Sequence, residues 1–249
     1  MIKKILISQD APKTANSPYT LLQERLGVEF DFYRFIKIEP VTANNFRKQN
    51  VALSDYSAVV FTTRHAVDNY FRLAKELHMQ VSDKTKFFGL SEQIINYTQH
   101  YIPYRKRRVF FPERGHWSEL IDLMRCHPGD RFLVPQSDPH TDEVAQRLEE
   151  AGLDHTECVM YRTVSNNFKK GPKVEDYDMI VLFTPAGVQS LVSNFPHWEQ
   201  GETKLACFGP TTAAAFHEAG LRADLQGDPK SISIIAALET FIRQENGLD

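Results

Sequence analysis

The sequence predicts an α/β protein made of two similar parallel-sheet lobes joined by a two-stranded β-ladder hinge, and three observations carry that prediction. The chain repeats itself: Asp55-Tyr-Ser-Ala-Val-Val-Phe-Thr-Thr-Arg-His-Ala-Val67 aligns without a gap on Asp176-Tyr-Asp-Met-Ile-Val-Leu-Phe-Thr-Pro-Ala-Gly-Val188, an offset of 121 residues between Asp55 and Asp176. Lys86-Phe-Phe-Gly89 and Ala206-Cys-Phe-Gly209 follow in the two copies at an offset of 120. Short apolar runs alternate with helical patterns along the whole chain. Finally, the second half holds too few strands to close a lobe by itself.

In chain order, the runs Lys4–Ser8, Ala58–Phe61, Lys86–Gly89, Arg108–Phe111, Arg131–Pro135, Met179–Phe183 and Leu205–Phe208 read as strands. They are short and continuously apolar rather than alternating, as strands of a parallel sheet covered on both faces must be. Between them, apolar residues at three- and four-residue spacing predict helices over Tyr19–Leu26, Ala66–Leu77, Glu92–His100, Ser118–Cys126, Thr141–Ala151, Val188–Phe195, Thr212–Ala219 and Ile232–Arg243. Each repeat copy runs from a strand through a Thr-containing turn into a helix, the corner at which α/β proteins hold anions. A cleft between two such corners is the expected site.

From Asp176 onward only two good strands and a third at Ala223–Leu225 can be found. The unassigned strand and helix at the N-terminus must complete that lobe. The expected organisation is therefore a discontinuous lobe of residues 1–31 plus 166–249 and a continuous lobe of residues 41–156. The connections, residues 32–40 and 157–165, are β-rich and lack the composition of flexible linkers, so they are expected to pair as hinge strands, with Val159, Tyr161 and Thr163 on one face.

Composition bounds the function. A net charge of −3 over 249 residues gives no reason to expect nucleic acid. The run Tyr104-Arg-Lys-Arg-Arg108 reads as a solvated face, unaccompanied by an aromatic platform or a recognition helix. No apolar run is long enough to span a bilayer and the N-terminus reads as a strand, so a cytoplasmic protein with no membrane partner is expected. Cys126, Cys158 and Cys207 are far apart, with no CxxC, and are expected to be buried thiols; the nine histidines form no ligand spacing, so no metal is expected.

Val60-Phe-Thr-Thr-Arg-His-Ala-Val67, Arg131-Phe-Leu-Val-Pro135, Val159-Met-Tyr-Arg-Thr163, Phe183-Thr-Pro-Ala-Gly-Val188 and Phe208-Gly-Pro-Thr-Thr-Ala213, with Ala219-Gly-Leu221 behind it, are singly weak and jointly specific. In that order and spacing the chain resembles the uroporphyrinogen-III synthase family over nearly its full length. The resemblance implies two flavodoxin-like α/β lobes on a β-ladder. It also implies an activity: removal of the terminal hydroxyl of hydroxymethylbilane and closure to uroporphyrinogen III with inversion of ring D, through a spirocyclic intermediate and without cofactor. A monomer is expected, with transient handover of substrate from the preceding enzyme. A non-catalytic two-lobed module for tetrapyrroles or small anions is the alternative. A dinucleotide or phosphosugar enzyme would want a glycine-rich loop after the first strand, where Ser8-Gln-Asp-Ala-Pro-Lys-Thr-Ala-Asn16 has no glycine.

By the same resemblance Tyr161 is the catalytic candidate, a phenol able to protonate the leaving hydroxyl. The substrate-binding candidates are Thr63, Arg64, His65, Ser91, Ser137, Thr184, Ala186, Gly187, Lys204, Thr211 and Thr212. Eight substrate carboxylates suit helix N-termini, whose backbone N–H groups bind anions. The chain departs from the family pattern in places. Thr63-Arg64-His65 leaves open whether Arg64 or His65 takes a carboxylate, Ser91 stands where a Thr is usual, and Ser137-Asp-Pro-His-Thr-Asp142 is acidic where an Arg is common.

Overall fold

The order of strands and helices along the chain explains both the repeat and the strand shortage. The computed structural model describes residues 1–227 and 233–248, so Ile232, the expected start of the last helix, lies outside them. The elements are β1 (Lys4–Ile7), α1 (Pro18–Leu26), β2 (Glu29–Phe32), β3 (Ile36–Pro40), α2 (Ala43–Arg47), β4 (Ala58–Phe61), α3 (Arg64–Glu76), β5 (Lys86–Gly89), α4 (Glu92–Tyr97) and β6 (Val109–Phe110). They continue with α5 (Trp117–Arg125), β7 (Phe132–Asp138), α6 (Glu143–Glu150), β8 (His155–Ser165), β9 (Met179–Leu182), α7 (Pro185–Asn194), β10 (Lys204–Phe208), α8 (Pro210–Glu218), β11 (Leu225–Gly227) and α9 (Ile234–Asn246). The chain divides into two units, the first from Met1–Lys37 together with Val164 and the residues beyond it, the second from Ile38–Thr163.

In the first unit, five strands lie in the order β11-β10-β9-β1-β2, every neighbouring pair parallel. Read from the other edge this is the 2-1-3-4-5 order of the flavodoxin-like doubly wound sheet. The second unit orders its strands β3-β8-β7-β4-β5-β6, parallel from β8 to β6. Apart from the added edge strand β3, this is the same sheet with its first two strands moved to the end of the chain: β7 and β8 take the places of β1 and β2, and β4, β5 and β6 those of β9, β10 and β11. The sequence repeat is strongest across the two switch-side strands, β4 and β9, and their neighbours β5 and β10.

Continuous apolar strands are what two-faced burial requires, and each sheet divides its side chains with period two. In the second unit Val59, Phe61, Phe87 and Leu133 pack with α3 on one face, while Ala58, Val60, Phe88, Phe132 and Val134 pack with α5 and α6 on the other. The first unit sends Leu6, Ile180, Leu182, Leu205 and Cys207 toward α7 and α8, and Ile5, Ile7, Met179, Val181 and Ala206 toward α1 and α9. Each fully buried Leu, Ile, Val or Phe stabilises by about 1.5–3 kcal/mol, so these faces fix which way every strand turns.

Three expectations fail, each for a physical reason. Phe32 does not belong to a connecting strand: it ends β2, opposite Ile7 in the parallel ladder with β1. The basic block is not uniformly solvated, since Arg108 is buried and donates from Nε to Thr85 O (2.8 Å) and from Nη2 to Ser82 O (2.9 Å), tying down the loop before β5. Cys126 is exposed at the end of α5, unlike Cys158 and Cys207. Among the described residues no helix is long and apolar enough to cross a membrane, and no cluster of His, Cys, Asp or Glu could hold a metal ion.

Candidate active site

All strands of a parallel sheet end on one edge, and helices start there with unpaired N–H groups pointing outward. In the second unit that edge gathers Thr63 after β4, Ser91 after β5, Ser137 near the end of β7 and Tyr161 on β8. The strand order reverses between β7 and β4, and this switch point is where open α/β sheets bind ligands. Thr63 stands beside it.

Thr63 is in extended conformation and its Oγ1 accepts from Ala66 N (3.1 Å), capping α3. The same oxygen lies 2.9 Å from the phenol oxygen of Tyr161. Tyr161 is only 4% exposed, and burial pushes its pKa up while the Thr63 hydrogen bond pulls it back. The phenol is thus protonated throughout the neutral range. His65, in the first turn of α3, has its ring 6.1 Å from that of Tyr161. Arg64 turns away, its guanidinium lying over the Tyr97 ring at 5.5 Å. Ser137 Oγ is 3.0 Å from Thr163 Oγ1.

A bulge aims Tyr161. Gln136 pairs with Val159, yet the next residue, Ser137, pairs with Tyr161, so β8 carries one extra residue. The expected alternation of Val159, Tyr161 and Thr163 on one face is broken here: Met160 and Tyr161 are consecutive and both buried. Beside this constellation on the same edge, Ser91, Glu92, Gln93, Phe111, Arg114 and Gly115 line a depression of about 570 Å³.

The first unit builds a matching corner. Thr184 Oγ1 accepts from Gly187 N (3.1 Å), capping α7, with Pro185 and Ala186 in its first turn. Thr211 is exposed in the first turn of α8, which is entered through Gly209 at φ 107°, a backbone conformation open to glycine and strained for other residues. Two candidates offer no free group at this edge. Thr212 is buried and donates to Phe183 O (3.2 Å), stapling α8 to the end of the neighbouring strand. Lys204 opens β10 at the opposite end of the sheet, paired with Glu245 (3.1 Å); at about 3.3 Å per residue, the length of the strand separates it from Gly209 by roughly 16 Å.

Sequence reading did not find Gln49. Its carboxamide bonds the backbone of Val159 in both directions, and within Arg47-Lys-Gln-Asn50 nothing local distinguishes it from an ordinary polar turn residue.

Doubly wound units with a hydroxyl-lined switch point define a class of small-molecule-binding α/β proteins. A family model described as uroporphyrinogen-III synthase HemD matches residues 17–233. The chain belongs to the uroporphyrinogen-III synthase family, lyases that act on a small molecule in tetrapyrrole and heme biosynthesis. Among solved structures it is similar to a mutant uroporphyrinogen III synthase from the extreme thermophile Thermus thermophilus, with 16% identity and a TM-score of 0.56 over 98% of this chain and 99% of that one. It is also similar to uroporphyrinogen-III synthetase from Helicobacter pylori, with 16% identity and a TM-score of 0.58 over 98% of this chain and 100% of that one. At that identity the likeness is one of fold. No curated protein sequence matches the chain significantly.

Proposed function

We propose that the chain dehydrates and cyclises hydroxymethylbilane to uroporphyrinogen III, inverting ring D, with Tyr161 as the acid that protonates the departing hydroxyl. The observation that carries this reading is the Thr63–Tyr161 contact of 2.9 Å at the switch point of a chain in this family.

Hydrogen-bond accounting assigns the parts. Thr63 Oγ1 accepts from Ala66 N with one lone pair, and in this reading its O–H donates to the phenol oxygen, either atom being able to donate across the 2.9 Å contact. The Tyr161 proton is then free for the substrate, and the phenolate left behind keeps one hydrogen bond. When the C–O bond breaks, that proton leaves in the water formed, and a substrate pyrrole nitrogen supplies the electron pair that replaces the bond. The resulting cation offsets the cost of a buried phenolate beside it, and the proton lost when ring closure restores the pyrrole returns to Tyr161. His65 lies beside the phenol, so it is better placed to meet a substrate carboxylate there than Arg64, which is engaged with Tyr97. Ser91, Ser137 and the N-terminal turns at Thr63, Thr184, Ala186, Gly187 and Thr211 offer hydroxyl and N–H donors to other carboxylates; Thr212 and Lys204, placed as they are, do not enter this reading.

The chemistry assigned to these residues calls on no metal or organic cofactor, and the protein acts as a cytoplasmic monomer that takes its substrate by transient handover from the preceding enzyme. The deciding experiment incubates the purified chain with freshly generated hydroxymethylbilane and resolves the isomers of the product. Isomer III in excess is expected, with a rate unchanged by chelator. Isomer I alone, the product of spontaneous closure, would overturn the reading.

A further inference from the structure

The bulge that aims Tyr161 poses a hydrogen-bonding problem. In a regular strand the N–H and C=O of one residue point to one edge and those of the next residue to the other. Here two successive carbonyls of β8 are held on the side away from β7. Val159 O accepts from Gln49 Nε2 (2.8 Å), and Met160 O accepts from Val41 N (3.0 Å), just past β3. Gln49 Oε1 accepts from Val159 N (2.8 Å) as well, so one carboxamide does what a neighbouring strand residue would do. Arg72 supports the second carbonyl, donating from Nη2 to Val41 O (2.7 Å) and reaching Met160 O at 3.5 Å.

Gln49 itself is held rigidly. It follows α2, its N–H donates to Phe46 O (3.0 Å), and the chain turns sharply after it at Asn50, whose φ is +55°. A side chain so placed, with donor and acceptor both spent on a single residue 110 positions away, is a clamp on one spot of β8. That spot is two residues before Tyr161.

We propose that Gln49 is a positioning residue, holding the β8 bulge in the register that puts the Tyr161 phenol on Thr63. Without the carboxamide, Val159 N–H and C=O lose their protein partners on this edge, and the bulge is free to relax toward regular pairing. Regular pairing would place Met160 opposite Ser137 and turn Tyr161 to the other face of the sheet. In turnover the consequence rests on Tyr161 being the acid, as proposed above; the positioning of the phenol does not.

The test compares the full chain as wild type, Gln49→Met, Tyr161→Phe and the double variant. Methionine keeps the length and apolar stem of Gln49 and removes only the carboxamide. Gln49→Met should lower kcat roughly tenfold, a displacement-sized loss, with KM and far-UV circular dichroism near wild type. In the Tyr161→Phe background the same substitution should cost nothing further. In [13C]tyrosine-labelled protein the ring resonance that disappears in Tyr161→Phe should move in Gln49→Met. Gln49→Leu, which also lacks donor and acceptor, serves in place of methionine if that variant does not fold. An unmoved Tyr161 resonance overturns the proposal, as does an equal kcat loss in both backgrounds. If Tyr161→Phe alone turns over at the wild-type rate while the resonance still moves in Gln49→Met, the positioning stands and the acid assignment falls.

Discussion

The corners at Thr63 and Thr184 are built alike and equipped differently. Both threonines are extended N-caps whose Oγ1 accepts from the N–H three residues on, at 3.1 Å in each case. Both follow strands aligned by the sequence repeat. Only Thr63 meets a phenol, and the difference comes from the strand two places away in the sheet. In the second unit β8 bulges and delivers Tyr161. In the first, β2 runs in unbroken register beside β1 from Lys4↔Glu29 to Ile7↔Phe32, and the tyrosine that follows, Tyr33, spends its hydroxyl on Asn167 O at 2.6 Å. A capped helix start is thus the common scaffold, and one inserted residue brings a phenol onto its threonine.

The comparison breaks most directly at Tyr161. Tyr161→Phe removes the proton donor and leaves both caps intact, so kcat should fall by roughly 10- to 100-fold, the low end of general acid catalysis, because substrate push and water in the site share the work. Isomer III should remain the product and KM should change little. A Phe variant with wild-type turnover would reduce Tyr161 to a packing residue, while one releasing mainly isomer I would move its role to ring inversion.

A smaller effect should separate the two threonines. Replacing either by Val removes one N-cap, worth about 1 kcal/mol, so Thr63→Val and Thr184→Val should lower urea midpoints to a similar degree. Turnover should fall several-fold further for Thr63→Val, which also strips the phenolate of its donor. Equal turnover in the two variants would show that Thr63 does nothing for Tyr161 beyond capping α3.

Much of this was legible in sequence because it is local or periodic. The corners could be read from Thr63 and Thr184 because strand, threonine and helix are contiguous, and the α/β class followed from apolar runs that both sheets bury on two faces. What could not be read is what depends on long-range pairing. An inserted residue in β8 has no local signature, since Val159-Met-Tyr161 looks like any half-buried strand until its partner Gln136-Ser137 is known. Gln49 is invisible for the same reason. Thr212 shows the same limit: it sits one residue from Thr211, and only the helix phase, which turns it onto Phe183 O, separates a buried staple from an exposed hydroxyl. Lys204 lies at the other edge because a strand's two ends lie on opposite edges of the sheet, a distinction that motif matching does not weigh.

The smallest effect concerns the opposite edges of the two sheets, where the units differ again. The first unit places Lys204 with Glu245 and Lys4 with Asp31, lysine–carboxylate pairs with no imidazole between them. The second places Lys86 Nζ between Asp130 Oδ2 (2.6 Å) and His127 Nδ1 (3.1 Å), with the His127 ring against Phe88 and Phe110. The ammonium donates to Nδ1 only if the imidazole is neutral there. Burial among the rings, and next the Lys86 charge, hold the His127 pKa below its usual 6.5, with Asp130 opposing. In the unfolded chain His127 therefore takes a proton before it does in the fold. The folded state binds fewer protons in that interval, so stability rises with pH there. The His127 contribution is complete above pH 6.5 and is lost as pH falls from 6.5 through the depressed folded value. Urea unfolding between about pH 7.5 and 5 should show a decline that is shallower in His127→Gln, the difference between the two proteins isolating His127 from the other histidines. Parallel curves would mean that His127 keeps its unfolded pKa in the fold, with Lys86 satisfied by Asp130 alone.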